Sequence, residues 1–151
     1  MNRLNKVSGC AKWSFLVFAF VASPSIYGDG IKTCSPKEAK AAEVVAASIS
    51  SWKKLHYVFH KYGHCDDGAI GEGFSESISI LMTEQWKSID QLVRLSKKDS
   101  AFRAFVIRHL DETVPMDRLE KIKFNVESNC IKSAQDICLE IRQVLEKAKQ
   151  P

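Results

Sequence analysis

The stretch SPKEAKAAEVVAASISSWKKLHYVFHKYGHC, Ser35 to Cys65, decides the fold. It opens as a helix start: the Ser35 hydroxyl can accept from the amide three residues on, Pro36 fits the first helical position, and Glu38 can reach back to the Ser35 amide. Val45, Ile49, Trp52, Leu55, Phe59 and Tyr62 then recur at spacings of three and four, which is one face of a helix and not the alternation of a strand. Gly63 ends the stripe.

Cys34 and Cys65 bracket this stretch and bear on whether it is one helix or two. A straight helix from Pro36 to Tyr62 would be ~40 Å long, whereas a disulfide needs Cα atoms within about 7 Å. Ser48, Ser50 and Ser51 offer a break and a fresh cap before Trp52. A Cys34–Cys65 bond therefore demands a hairpin broken near Ser50, and this is the arrangement expected. Cys130 and Cys138 lie close in sequence, and Ser133 with Asp136 starts a new helix between them, so a local Cys130–Cys138 bridge is expected there. Spacing alone leaves the other connectivities open.

Working outward, helical spacing continues to the end of the chain. A helix beginning at Asp66 or Asp67 is expected to turn Ile70, Phe74, Ile78, Leu81 and Trp86 inward. Ser88 with Gln91 reads as another capping box before a shorter helix to Leu95, and Lys97 to Ser100 as a polar turn. Phe102, Phe105, Val106 and Leu110 mark the next stripe, which stops before Pro115. Pro115 starts a helix burying Met116, Leu119, Ile122 and Val126, and a last one from Ser133 buries Ile137, Ile141, Val144 and Leu145. The expected fold is all-α, a compact bundle of five to seven short helices stabilised by disulfides, with residues 29–151 as a single helical domain.

Residues 1–28 read as an export signal that is removed. Arg3, Lys6 and Lys12 precede the apolar run Trp13–Ala22, and a smaller, more polar segment ends at Gly28, where cleavage is expected. The run is about half of the 20 residues that span a bilayer, so no membrane anchor is expected after cleavage. Cys10 precedes the run and not the reverse, which argues against a lipid-attachment box. The chain has 22 basic and 18 acidic residues. Losing the three basic residues of the signal leaves 19 against 18, close to neutral, so neither a nucleic-acid footprint nor a membrane-binding patch is indicated. The remaining cysteines, Cys34, Cys65, Cys130 and Cys138, are even in number and suit an oxidising compartment, the periplasm.

Three constellations carry chemistry. Asp66, Asp67 and Glu72 stand in the Gly-rich segment His64–Ser75. Three helix glycines there cost roughly 1 kcal/mol each relative to Ala, which close helix packing at Gly68, Gly71 and Gly73 would offset. The functional alternative is an exposed acidic tip offered to a partner. His56, His60 and His64 are spaced by four, which on a continuous helix lines up three imidazoles as an alternative zinc or copper site, although Gly63 interrupts that helix before His64. No Gly-x-Ser-x-Gly motif or phosphate loop occurs, and cysteines held as disulfides supply no nucleophile, so no catalytic residue, enzyme activity or cofactor is assigned. The charged turns Asp111-Glu112-Thr113 and Asp117-Arg118, together with the Asp66–Gly73 segment, form the natural rim for a protein partner.

The layout of an exported helical domain with paired cysteines, a Gly-containing helix after Cys65, and Ala-Phe-Arg-Ala-Phe-Val-Ile-Arg-His-Leu at residues 101–110 resembles the periplasmic immunity proteins of the Tai type. That resemblance lies in layout and carries over no binding residue. It implies an immunity protein that neutralises a cognate peptidoglycan hydrolase, a toxin delivered by type VI secretion, by occluding its active site. The partner implied is a secreted effector enzyme, and a homodimer is an arrangement open to such a protein. The alternatives are a periplasmic metal-binding protein and a structural envelope protein.

Overall fold

The computed structural model describes residues 32–147; the expected export signal and the expected cleavage after Gly28 lie outside them. The described residues form seven α-helices: α1 (Pro36–Ala46), α2 (Trp52–Tyr62), α3 (Gly68–Glu84), α4 (Ile89–Lys98), α5 (Ser100–Arg108), α6 (Met116–Ser128) and α7 (Gln135–Lys147). Short 3-10 turns at Gly63–Cys65, Trp86–Ser88 and Lys132–Ala134 lead into three of them. No strand occurs among the described residues, and no helix there is long and apolar enough to cross a membrane.

The deciding stretch breaks where its serines allow. α1 begins with the complete Ser35–Glu38 capping box. Glu38 also meets Lys32 at 3.0 Å. The Ser35 hydroxyl, then Lys32, hold the Glu38 carboxyl down at about 2. α1 stops at Ala46, and Ser51 caps α2 by accepting from the Lys54 amide. Ser77 of α3 closes the gap, its hydroxyl donating to the Ala46 carbonyl and accepting from the Ile49 amide at 3.3 Å. Helix-end groups that would otherwise be buried without partners are thereby satisfied.

The hairpin brings the Cys34 and Cys65 Cα atoms to 4.9 Å, and those of Cys130 and Cys138 lie 6.5 Å apart, giving the two expected disulfides. With sequence separations of 31 and 8, loop-closure entropy assigns them about 3.7 and about 2.5 kcal/mol respectively.

α3 is the central helix. It packs against α1 on one side and α6 on the other. Phe74, Ile78, Leu81 and Met82 are fully buried, and so are Ser77 and Ser79. Hydroxyls buried on such a helix need partners; Ser79 and Thr83 donate to carbonyls one turn back. Gly73 explains one of the costly glycines: a Cβ there would lie 3.1 Å from the Ala46 Cβ and 3.3 Å from the Ala47 amide nitrogen. α1 and α3 touch backbone to backbone at that point. The apolar core runs unbroken from Ala46 to Leu145.

Several local expectations are corrected. Trp86 lies beyond α3, in the following 3-10 turn, because its indole N–H reaches the Asn129 carbonyl at 2.9 Å across the bundle. Ser88 makes no capping box; its hydroxyl donates to the Gln85 carbonyl instead. α4 continues through Lys97 and Lys98, so the polar turn shrinks to Asp99, whose side chain caps α5. Leu110 is buried but lies past the end of α5. Met116 is 55% exposed at the first position of α6. Val144 is only partly buried.

Candidate functional site

Two carboxylate–histidine clusters lie at the starts of helices, and each joins segments about 40 residues apart. The first centres on Asp66. Its Oδ1 lies 3.0 Å from His109 Nε2, and its Oδ2 pairs with the Arg108 guanidinium. His109 Nδ1 is 2.8 Å from the Phe105 carbonyl. Both neighbours of this ring are acceptors, so both contacts are filled only with a proton on each nitrogen. Both ring nitrogens face acceptor oxygens at hydrogen-bond distance, so neither is turned toward solvent for base chemistry or metal binding. Burial alone would raise the Asp66 carboxyl, but His109 and then Arg108 hold it below its ordinary value. Gly71 makes room for it: a Cβ there would lie 3.2 Å from Asp66 Oδ1.

The reading of Asp66, Asp67 and Glu72 as one exposed acidic tip is therefore corrected at Asp66, whose side chain is 11% exposed. Asp67 and Glu72 stay exposed. Asp67 caps the Gly68 amide at 2.8 Å, and Gly68 takes φ +49°, the one left-handed glycine of the described residues. The segment nevertheless meets the turn after α5. Together they line a hollow of about 350 Å³ with Asp67, Gly71, Glu72, Arg108, Asp111 and Thr113 at its walls.

The second cluster centres on Asp99. Its Oδ1 accepts from the Phe102 amide at 2.9 Å as the cap of α5. Oδ2 turns the other way, to His60 Nε2 at 2.8 Å and His56 Nε2 at 3.1 Å. The two Nε2 atoms lie 3.2 Å apart. Burial opposes ionisation of Asp99, yet the Phe102 amide and the two imidazoles outweigh it and hold the carboxyl below its ordinary range. The His56 ring also stands edge-on to Phe102, at 4.8 Å between centroids.

His64 does not join this face, which corrects the three-imidazole site. α2 ends at Tyr62, and the 3-10 turn swings His64 away to Glu38, with Nε2 3.3 Å from Oε1. Cys34 and Cys65 lie beside His64, but their sulfurs are joined to each other. Asp99 takes the third place, a residue that spacing along α2 could not supply.

A larger open groove of about 650 Å³ runs between the end of α3 and α6, lined by Thr83, Trp86, Asn125, Asn129 and Ile131 among others. It gathers amides and apolar side chains with Glu84 and Lys87 beside them, and no histidine or cysteine lines it. No family model, curated protein or solved structure matches the chain.

Proposed function

We propose that this chain is an exported binding protein of the immunity type, which neutralises a secreted peptidoglycan hydrolase in the periplasm by covering its active site. The observation that supports this most is the hollow between the Asp66–Gly73 segment and the Asp111–Thr113 turn, two segments distant in sequence that share one rim. The Asp66–Arg108–His109 cluster holds that rim in place, and its exposed carboxylates, Asp67 and Glu72, suit a basic surface on the partner. Two disulfides agree with export to an oxidising compartment.

A rigid rim loses little freedom on binding, which favours inhibition by occlusion. The test is to present the oxidised protein to secreted effector mixtures and to assay any hydrolase bound in stoichiometric amount for cleavage of purified peptidoglycan. Expected are a captured hydrolase with its activity stopped, and faster escape from the complex when Asp67 and Glu72 are both replaced by Ala. A captured enzyme that remains fully active would overturn occlusion. Inhibition untouched by the double replacement would move the interface to the Trp86–Ile131 groove.

A further inference from the structure

We infer that His56, His60 and Asp99 form a binding site for one divalent transition cation, zinc being the ion whose geometry the donors match. Three donor atoms, His56 Nε2, His60 Nε2 and Asp99 Oδ2, lie 2.8, 3.1 and 3.2 Å from one another. Bonds of ~2.0–2.1 Å to a tetrahedral zinc place neighbouring donors ~3.3 Å apart. The triangle is thus within about half an ångström of the face such an ion would occupy, and small ring rotations close the difference.

Protons alone do not account for the triangle. Each Nε2 carries at most one hydrogen in a neutral ring, and the ionised carboxylate carries none. Two hydrogens serve three contacts only by sharing, so one close approach of polar atoms lacks a hydrogen of its own. A cation at the centre engages one lone pair from each donor at once. Imidazole and carboxylate are the donor types that borderline divalent ions take.

The supports of the triangle are in place. His56 and His60 are one turn apart on α2, a helix anchored in the core by the buried Trp52, Leu55 and Val58. Asp99 is oriented by the Phe102 amide on its other oxygen, the kind of outer contact that fixes a ligand's direction. The Asp99 side chain is 16% exposed and that of His56 26%, whereas His60 is 58% exposed, so one flank opens to solvent. The fourth position is left for water or for a donor from a partner.

Titration calorimetry of the oxidised protein with zinc chloride at neutral pH tests this. One ion per chain is expected, with thermal stabilisation on binding. Asp99→Asn retains an oxygen for the α5 cap while weakening the ligand set, and His60→Ala alters an exposed side chain; circular dichroism checks that both fold. Each is expected to weaken binding by at least the ~10- to 100-fold that loss of an outer-sphere partner costs. His64→Ala is expected to bind as the wild type does. Absence of uptake by the wild type would overturn the site, and so would loss of binding in His64→Ala. Undiminished affinity in Asp99→Asn would reduce the site to chelation by the histidine pair alone and overturn it equally.

Discussion

The clusters at Asp66 and Asp99 use the same residue types and differ in how completely they satisfy one another. At Asp66 one histidine is held between two acceptor oxygens, and an arginine covers the second carboxylate oxygen. Both carboxylate oxygens and both ring nitrogens are engaged, so the cluster acts as a tie between the start of α3 and the end of α5. At Asp99 two imidazoles crowd one oxygen while the other oxygen is occupied by a helix cap. Lone pairs remain, and the cluster can take a cation. Satisfaction, more than composition, separates a structural carboxylate–histidine contact from one that can bind.

Replacing Asp66 with Ala should have the largest effect on this contrast. It strands the buried His109 and releases Arg108, and should lower unfolding stability by about 2–4 kcal/mol in urea titrations of the oxidised protein. Asp99→Ala should cost about 1 kcal/mol, the loss of a helix cap, with Asp99→Asn recovering most of it. If the two alanine variants lose equal stability, the division into tie and site fails.

Acid should act on both clusters with the same sign. The folded-state values of Asp66 and Asp99 lie below 3.8, their ordinary value. The unfolded chain therefore takes up these protons first as pH falls. The stabilisation is present above about pH 4 and is lost as pH drops through the folded-state values. Asp66→Asn should accordingly differ most from wild type near neutrality and converge on it in acid, as read from urea midpoints across pH 2–7.

The smallest effect expected is at Gly71. Ala in a helix interior normally gains about 1 kcal/mol over Gly. Here the added Cβ meets Asp66 Oδ1 at 3.2 Å and must push a carboxylate held on its far side by His109. Gly71→Ala should therefore show no net gain in urea midpoint, while the same replacement in an Asp66→Ala background should recover the gain. Equal gains in both backgrounds would disconnect Gly71 from the tie.

Much of the bundle was legible because its signals are local. The Ser35–Glu38 box, the serine break before Trp52 and the apolar stripes of α1, α2, α6 and α7 depend on neighbours three or four residues away. The hairpin that a 34–65 crosslink requires was legible for a different reason: a length of ~40 Å cannot meet a span of ~7 Å without a turn. Expectations failed where a distant group overrode a local one. Trp86 followed its N–H to Asn129 and Asp66 turned from solvent to His109, each 43 residues away; at Ser88 a nearer competitor, the Gln85 carbonyl, took the hydroxyl.

The sequence by itself determined the all-helical class and most helix starts, because these follow from periodicity and capping chemistry, while the pairing of the four cysteines was fixed only by the fold. Only the tertiary structure decided that Asp66 is spent on a tie, that His64 leaves the histidine face, and that Asp99 enters it. Helix spacing orders residues within one turn of each other, whereas a site assembled between α2 and the start of α5 depends on how two helices pack, and no local period encodes that distance.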